Sequence, residues 1–392
     1  MIPYGRQDIS QDDIDAVAET LRSDWLTQGP AVPRFEAALG EVCGAAHVVA
    51  TSNATTALHI AALALGLGPG KRLWTVPNTF VASANCGLYC GAEVDFVDID
   101  PLTRNMSVVA LAAKLEAARA ADRLPHVVVP VDFAGTSVDL AAIRALADDY
   151  GFFILDDASH AIGGRYQNHP VGDGALADIT VFSFHPVKIV TTGEGGAAAT
   201  RSDELAARLR LLRSHGITRD PGAMSGQNPD AADEPWYYEQ IDVGNNYRMT
   251  DIQAALGASQ LKRLPQFLAR RQEIAARYHH LLRDLPVIRQ FVPDDVYSAL
   301  HLYVIELDED VQRSRAEVFR AMRAQGIGVN VHYIPVHLQP VYRALGFKPG
   351  DFPNAERYYG RALTLPMYAG LTDAMQDEVV EALARAIDGR AG

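Results

Sequence analysis

A single lysine stands between two short runs that have the character of buried strands. Residues 179–184 and 197–200 are mostly apolar, and the glycines within 193–196 let the backbone turn sharply between them. Lys188 lies on this connection, from which its long side chain can carry an amine into a cavity. Desolvation there lowers the pKa of a lysine amine and makes it a candidate to form a Schiff base. The alternative interpretation is an ordinary lysine on a surface loop.

A second candidate site follows a β-rich run at residues 47–51. The next five residues, 52–56, read Ser-Asn-Ala-Thr-Thr and lead directly into a helical pattern at 57–67. A strand that feeds such a helix start exposes unpaired backbone N–H groups beside hydroxyl groups, which is a typical phosphate site. Ordinary helix capping by Ser or Thr is the alternative interpretation.

Polar and aromatic residues also follow other predicted strands. Asp156, Asp157 and His160 come at the end of the strand predicted at 152–155, and Phe80 follows an earlier strand. In open parallel sheets, ligands bind beyond the carboxyl ends of the strands. These side chains are therefore expected to meet at one edge of the sheet.

Together these residues match the needs of a pyridoxal phosphate enzyme. Such an enzyme requires an amine for the Schiff base, an anion site for the phosphate, and a carboxylate that keeps the pyridine nitrogen protonated. Lys188 supplies the amine, residues 52–56 with Ser183 the anion site, and Asp157 the carboxylate. Phe80 offers an aromatic face for the ring.

The elements that position these residues alternate between strand and helix. Strand patterns occur at 47–51, 73–76, 94–98, 127–131, 152–155, 179–184 and 197–200. Helical patterns occur at 11–22, 32–43, 57–67, 81–90, 108–120, 140–150, 205–212 and 251–264. This succession predicts an α/β fold, in which helices flank a mostly parallel sheet.

The remainder predicts a second, smaller domain. A long amphipathic helix at 266–285 connects to strands at 302–307 and 329–333, and helices follow at 315–325 and 375–387. The predicted division is therefore a large domain at 1–265, whose N-terminal helix is expected to pack on the small domain, and a small α+β domain at 266–392. Residues 220–235, rich in Gly, Pro, Asp and Asn, are expected to form a long mobile loop.

Composition narrows the class of protein. Asp and Glu number 48 against 35 Lys and Arg, a formal charge of -13 that argues against non-specific binding to nucleic acid or to anionic membranes. Cys43, Cys86 and Cys90 are too few for a disulfide framework and are expected to be small core residues, with no metal site. No run approaches the ~20 apolar residues of a membrane span, and no signal peptide is apparent. A cytoplasmic protein is expected.

The chain resembles the DegT/DnrJ sugar aminotransferases, within the fold-type I, aspartate-aminotransferase-like superfamily. The resemblance covers nearly the whole length. It rests on Ser52-Asn53-Ala54-Thr55, Pro77-x-x-Phe80, Asp157-Ala158-Ser159-His160, Ser183-x-x-x-x-Lys188, Gly193-Glu194-Gly195-Gly196 and Asn246-Tyr247-Arg248-Met249. Many relatives have Gly where Ala54 stands and Gln where His160 stands.

The resemblance implies a role for each matching residue. Lys188 would bind the cofactor covalently, Asp157 would pair with the pyridinium nitrogen, and His160 would contact the ring hydroxyl. Phe80 would stack on the ring. Ala54, Thr55 and Ser183 would hold the phosphate, and Asn246 would reach the phosphate of a neighbouring subunit, which implies a homodimer with shared active sites.

The segment from His185 to Gly196 is similar to the branch that aminates C4 of a UDP-linked 4-keto-6-deoxy-N-acetylhexosamine, on the way to pseudaminic acid. The resemblance implies L-glutamate as the amino donor, and a ping-pong transamination in which Lys188 also shuttles the proton. Candidates for contact with the nucleotide sugar are His185, His215, Arg219, His332 and Tyr333, because an anionic diphosphate needs cationic or hydrogen-bonding partners.

Several alternatives remain open at the level of sequence. The enzyme could aminate another nucleotide-linked keto-sugar, with dTDP or GDP as the nucleotide and C3 or C4 as the acceptor carbon. A dehydratase on the same scaffold is disfavoured, because the related dehydratases replace the lysine that stands here as Lys188. A non-catalytic regulator would normally carry a DNA-binding module, and no basic helix-turn-helix segment is visible.

Overall fold

The structure is a computed structural model that describes residues 1–226 and 234–389. Its helices are α1 (Gln11–Arg22), α2 (Ala31–Cys43), α3 (Ala54–Ala64), α4 (Ala82–Tyr89), α5 (Val108–Ala120), α6 (Leu140–Tyr150), α7 (Asp203–Arg213), α8 (Asp251–Leu261), α9 (Leu264–Leu281), α10 (Arg315–Ala324), α11 (Pro340–Ala344), α12 (Pro353–Arg361) and α13 (Asp373–Asp388). Its strands are β1 (His47–Thr51), β2 (Arg72–Thr75), β3 (Glu93–Phe96), β4 (Val127–Val129), β5 (Phe153–Asp157), β6 (Arg165–Tyr166), β7 (His169–Pro170), β8 (Ile179–Ser183), β9 (Gly196–Thr200), β10 (Ile217–Thr218), β11 (Glu239–Gln240), β12 (Val287–Arg289), β13 (Val296–Tyr297), β14 (Tyr303–Leu307) and β15 (Ala362–Leu365).

The central sheet has seven strands in the order β1-β9-β8-β5-β4-β2-β3. All of them run parallel except β9, which is antiparallel to both of its neighbours. The prediction of a mostly parallel sheet is therefore confirmed. The strands are apolar on both faces because helices cover both sides, and β4, β8 and β9 are buried at every position.

A smaller three-stranded antiparallel sheet, β12-β14-β15, forms the core of the C-terminal part with α10 and α13. Helix α9 connects the two parts. Its early residues Leu264 and Phe267 pack in a hydrophobic cluster with α2 and α8, whereas Ile274 and Tyr278 pack in the cluster of the smaller sheet. The α9 helix therefore spans the region where the sequence predicts the domain boundary.

The prediction of a strand at 329–333 is wrong. Only Asn330 pairs there, in an isolated bridge with Thr364, and the strands beside β14 are β12 and β15, neither of which the sequence analysis predicted. Side chains take the backbone donors of this segment: Asn330 Oδ1 accepts from the N–H of Val331, and Asn78 Oδ1 accepts from the N–H of Tyr333. Those donors are consequently not available to a regular ladder.

The N-terminal segment contacts both parts of the chain, but not in the way that was expected. Helix α1 packs against α8 of the large part rather than on the small domain. It is the extended segment before α1 that reaches the C-terminal part: Ile2 exchanges hydrogen bonds with Gly326 and Gly328, and the carbonyl of Tyr4 accepts from the N–H of Met367.

Three further predictions concern a loop, the cysteines and membrane insertion. The loop predicted at 220–235 lies partly outside the described residues, and its described portions contain no helix or strand. The three cysteines are buried and unpaired, as expected for core residues. Within residues 1–226 and 234–389, no helix combines the length and the apolar character needed to cross a bilayer.

Candidate active site

The lysine loop connects β8 to β9 and is held by its own backbone. Phe184 donates to the carbonyl of Gly195 and accepts from the N–H of Thr192, while the N–H of Lys188 donates to the carbonyl of His185 at 2.8 Å. Burial lowers the pKa of the Lys188 amine to about 8, although the nearby Asp157 acts in the opposite direction. No hydrogen bond from a described residue occupies the amine, which is therefore available as a nucleophile.

The two aspartates at the end of β5 point to opposite faces of the sheet. Asp156 is paired in register with Thr180, and Asp157 with Val181. Because side chains alternate along a strand, Asp157 shares its face with Val181 and with Ser183 two residues further on. The register therefore places Asp157, and not Asp156, on the same face as Ser183 at the end of β8.

Ser83 is a site residue that the sequence analysis missed. Its hydroxyl, on α4, donates to Asp157 Oδ2 at 2.6 Å, and the N–H of Ser159 donates to Asp157 Oδ1 at 3.2 Å. Both carboxylate oxygens are thereby oriented. Ser83 lies inside a helix and 74 positions from Asp157, so no local spacing could have indicated this contact.

His160 has a defined tautomer. Its Nδ1 lies 3.2 Å from the N–H of Ala134 and must accept that hydrogen bond, so the proton of the neutral ring is on Nε2. The Nε2 lies 3.1 Å from the hydroxyl of Tyr333, to which it can donate. Burial, together with the positive charge of Lys188, holds the pKa of His160 well below its usual range.

Two more histidines line the surroundings of Lys188. His332 contacts the hydroxyl of Thr364 at 2.8 Å, and burial lowers the pKa of His332 to about 3. His301, which the sequence analysis missed, lies with its ring centroid 4.5 Å from that of His160, and burial beside Lys188 lowers its pKa strongly. The surroundings of the lysine are therefore neutral imidazoles, and Asp157 is the carboxylate that acts on the amine.

The candidate phosphate site lies where the ends of three neighbouring strands, β1, β9 and β8, are level with one another. Thr51 and Ser183 both pair with Gly196, so the ends of β1 and β8 lie on either side of β9, about 10 Å apart. Ala54 and Thr55 form the first turn of α3, where their N–H groups have no partner within the helix. A side chain at Gly196 would collide with the backbone of Asn53 and Ala54, which explains the glycine.

The other predicted site residues lie at the surface of the single chain. The side chain of Phe80 is 58% exposed and lies 6.4 Å from the ring of Tyr333. Asn246 is exposed, and the neighbouring carbonyl of Tyr247 accepts from the N–H of Ser52, next to the α3 turn. His185, His215 and Arg219 are also exposed. The structure thus brings together Lys188, Asp157, His160, His332 and Tyr333. The residues that it leaves at the surface are Phe80, Asn246, His185, His215 and Arg219.

The assembled groups can carry out a defined kind of chemistry. They offer a nucleophilic amine, an oriented carboxylate, neutral imidazoles and an anion-binding site at the N-terminus of a helix. Among residues 1–226 and 234–389, no group of His, Cys, Asp and Glu has the arrangement of a metal site.

Comparison with known proteins gives consistent matches along the chain. Residues 7–384 match the profile of the DegT/DnrJ/EryC1/StrS aminotransferase family. The spore coat polysaccharide biosynthesis protein SpsC of Bacillus subtilis is 41% identical, over 99% of this chain and 97% of its own length. An uncharacterized protein of Methanocaldococcus jannaschii, MJ1066, is 36% identical over 98% of this chain and 97% of its own.

Solved structures of sugar aminotransferases have the same fold. Helicobacter pylori PseC, an aminotransferase involved in the biosynthesis of pseudoaminic acid, superimposes with a TM-score of 0.88 at 30% identity, covering 99% of each chain. The PMP form of the sugar aminotransferase Spr1654 from Streptococcus pneumoniae gives a TM-score of 0.89 at 29% identity, covering 99% of this chain and 100% of its own. A PLP form of the same protein gives 0.87 at 28% identity, covering 99% of each chain.

Proposed function

The chain belongs to the DegT/DnrJ/EryC1/StrS aminotransferase family, and on that premise we propose that it is a pyridoxal phosphate-dependent nucleotide-sugar aminotransferase. The proposed reaction transfers the amino group of L-glutamate to C4 of a UDP-linked 4-keto-6-deoxy-N-acetylhexosamine. The observation that carries the proposal is the neighbourhood of Lys188, where a partly desolvated amine lies near the oriented carboxylate of Asp157.

The residues present fit this cofactor. The unpaired N–H groups of Ala54 and Thr55, with the hydroxyl of Ser183, suit a phosphate dianion. Asp157 suits a protonated ring nitrogen, and Lys188 suits an aldehyde carbon. When bound, pyridoxal phosphate supplies the aldehyde that takes up an amino group and the ring that withdraws electrons from the carbon being deprotonated.

The chain's own residues would bind, orient and move protons. Asp157, held by Ser83, would keep a proton on the ring nitrogen of the cofactor through a charge-assisted hydrogen bond. Lys188 Nζ takes the proton from the α-carbon of the donor, which requires a neutral amine, and a pKa of about 8 provides a useful fraction of it near neutral pH. The neutral His160, whose Nε2–H lies beside the hydroxyl of Tyr333, would contact the ring hydroxyl of the cofactor.

The choice of substrate rests on similarity and on charge. The match to PseC supports a keto-sugar of the pseudaminic acid type. His185, His215 and Arg219 offer polar or cationic groups at the surface of an otherwise acidic protein, where an anionic diphosphate needs local partners. His332 and Tyr333 lie deeper, beside His160, and would contact the sugar end of the substrate.

We also propose a homodimer in which the sites are shared. Asn246 has an exposed side chain and would reach the phosphate of the partner subunit. Several large apolar side chains are exposed on the single chain, among them Trp25, Trp236, Tyr238 and Val243. The proposal expects these side chains to be covered in the homodimer, because contiguous exposed apolar surface marks protein interfaces. Phe80, equally exposed, would be covered by the cofactor ring.

Two alternatives are distinguished by the same assay. Another nucleotide-linked keto-sugar, carrying dTDP or GDP and aminated at C3 or C4, would give a different product with the same chemistry. A non-catalytic regulator that binds the cofactor or an aminosugar belongs to another class, and would give no product. The relative named for spore coat polysaccharide biosynthesis favours an enzyme.

The test is glutamate-dependent amination of a panel of nucleotide keto-sugars, with mass spectrometry and product NMR. We expect 2-oxoglutarate and an amino-sugar in equal amounts from the UDP-linked 4-keto-6-deoxy-N-acetylhexosamine, and no turnover of oxaloacetate or aromatic keto acids as acceptors. Preference for a dTDP or GDP sugar would select the alternative substrate. Preference for an ordinary keto acid would overturn the sugar assignment.

A further inference from the structure

Arg104 and Glu306 form an ion pair that is buried between the two parts of the chain. Arg104 lies in the loop after β3 of the central sheet, Glu306 lies on β14 of the smaller sheet, and each side chain is only 3% exposed. Arg104 Nη2 donates a hydrogen bond to Glu306 Oε1. The sequence analysis did not single out either residue, and the proposed chemistry uses neither of them.

Stability is a weak explanation for this pair. Two charges lose their hydration when they are buried, and apolar side chains of similar size often replace such a pair without loss of stability. Arg104 Nη1 is also buried without a hydrogen-bond acceptor among the described residues. The backbone of Arg104 has a φ of 67°, in the left-handed region that residues other than glycine seldom occupy. Residues held in such conformations cluster at functional sites, so the pair is better explained by what Arg104 holds in place.

One set of contacts leads from the guanidinium of Arg104 to His332. The Cζ atom of Arg104 lies 5.6 Å from the ring centroid of Tyr358, which is within the range of a cation–π interaction. The hydroxyl of Tyr358 donates to the carbonyl of His332 at 2.9 Å, and this contact is buried. The guanidinium of Arg104 therefore supports the tyrosine that holds the backbone of His332.

A second set of contacts leads from the backbone of Arg104 to Tyr333. Asn78 Nδ2 donates to the carbonyl of Arg104 at 3.4 Å, and Asn78 Oδ1 accepts from the N–H of Tyr333 at 3.2 Å. The hydroxyl of Tyr333 in turn lies 3.1 Å from His160 Nε2. Since the two sets of contacts end at consecutive residues, one loop of the large part holds His332 and Tyr333 together.

The residue after Arg104 holds an aromatic ring between these contacts. Asn105 Oδ1 accepts from the N–H of Phe133 at 2.9 Å, and Asn105 Nδ2 donates to the carbonyl of Thr136 at 2.9 Å. The ring centroid of Phe133 lies 5.8 Å from that of Tyr358 and 6.3 Å from that of Tyr333. Because a close-packed interior transmits displacements, a shift of Tyr358 would reach Tyr333 through Phe133 as well.

We propose that Arg104 is a positioning residue for His332 and Tyr333 in the candidate active site. The inference rests on the proposed function, in which His332 and Tyr333 contact the sugar end of the substrate. Arg104 touches neither substrate nor cofactor and acts through Tyr358 and Asn78. Misplacement of the groups that hold a substrate slows its reaction, so loss of the arginine should impair the reaction with the keto-sugar and spare the reaction with glutamate.

The first test separates the two half-reactions in the double variant Arg104→Met/Glu306→Leu. Both charges are removed together, because removal of one alone would leave the other buried and unpaired. We expect the single-turnover reaction with glutamate to stay close to the wild-type rate, since neither set of contacts passes through Lys188 or Asp157. The reaction with the UDP-linked 4-keto-6-deoxy-N-acetylhexosamine should slow by roughly ten- to a hundredfold, with a raised KM.

One further variant and one control complete this test. Tyr358→Phe keeps the ring but loses the hydrogen bond to His332, and it should also impair the keto-sugar reaction selectively. Arg277→Gln removes an ion pair with Asp377, between α9 and α13, and should leave both half-reactions unchanged. Equal slowing of both half-reactions in the double variant, or no change in either, would overturn the positioning role.

A second measurement requires neither glutamate nor sugar. Because His160 Nε2 lies beside the hydroxyl of Tyr333, the NMR resonance of this nitrogen in histidine-labelled protein reports whether Tyr333 is in place. Tyr333→Phe identifies the shift that loss of the hydroxyl produces. We expect the double variant to shift the same resonance, and Arg277→Gln to leave it unchanged.

The two measurements can fail independently. A His160 resonance that is unshifted in the double variant would overturn the positioning role, whatever the substrate. If the wild type aminated no keto-sugar, the proposed function would fail, and the resonance of His160 would still show whether Arg104 positions Tyr333.

Discussion

Ser83 Oγ donates a hydrogen bond of 2.6 Å to Asp157 Oδ2 and joins α4 to the end of β5. Removal of this donor should leave the Asp157 carboxylate less well oriented, because a hydrogen bond to a charged group is worth ~1.5–3 kcal/mol. We expect Ser83→Ala to fold and to slow the single-turnover reaction with glutamate by roughly ten- to a hundredfold.

The control is Thr79→Val, which removes a buried hydroxyl that contacts Ser83 but not Asp157. It should have a clearly smaller effect. Equal losses in both variants would mean that the hydroxyl network matters only for packing.

Asp157→Asn is expected to keep the shape of the site and to slow both half-reactions. The amide is nearly isosteric, yet it cannot hold a proton on the partner nitrogen through a charge-assisted bond, and a loss of about 3 kcal/mol corresponds to roughly a 150-fold slower rate. Rapid-mixing absorbance with glutamate measures one half-reaction at a time. A wild-type rate would remove Asp157 from its role and leave Asp156, on the opposite face, to be considered.

Lys188 should react with an aldehyde at a lower pH than other lysines. Burial lowers the pKa of its amine to about 8, so the reactive neutral fraction rises up to that pH and then levels off. The rate at which the apoprotein develops the absorbance of lysine-bound pyridoxal phosphate should therefore reach a plateau above about pH 8. For a lysine with an ordinary pKa of about 10.4, this rate would keep rising above pH 8.

Lys188→Ala supplies the control for this measurement. It should fold and can still hold the cofactor, but the lysine-bound absorbance and the turnover should be lost. An unchanged spectrum would mean that another lysine carries the cofactor.

Gly196→Ala should destabilise the protein and weaken cofactor binding. The added Cβ would collide with the backbone of Asn53 and Ala54, which must move, and overpacking of this kind costs ~1–3 kcal/mol. Thermal unfolding of the apoprotein and titration with pyridoxal phosphate measure the two effects. Gly360→Ala is the matched control: Gly360 lies in α12 with no atom within 4 Å of an added Cβ, so this change should stabilise by up to about 1 kcal/mol.

Asn246 should complete the site of the partner subunit. When Lys188→Ala and Asn246→Ala chains exchange subunits, a mixed dimer contains one site with both an intact Lys188 and an intact Asn246, and activity should return. The experiment requires Asn246→Ala to be impaired by itself, which the loss of a hydrogen bond to a charged group, ~1.5–3 kcal/mol, makes reasonable. Activity no higher than the sum of the two separate variants, with exchange verified by tagged chains, would assign Asn246 to its own chain's site.

Local patterns in the sequence were sufficient for most elements and for the central candidates. Helix α1 and strand β1 lie at the predicted residues, because amphipathic spacing and a short β-branched run are local properties. Lys188 and Asp157 could be singled out because each follows a buried strand of a parallel sheet, and such strand ends lie along one edge. The family motifs then supplied their implied roles.

Tertiary structure decided the rest. The choice between Asp156 and Asp157 depends on the register with β8, and the failure of the strand at 329–333 depends on side chains of Asn330 and Asn78 that capture backbone donors. Ser83 and His301 enter the site through contacts that join distant parts of the chain. Sequence periodicity determines which residues are buried, but which buried groups meet is fixed only when the strands pair and the helices pack, because those contacts have no local signal.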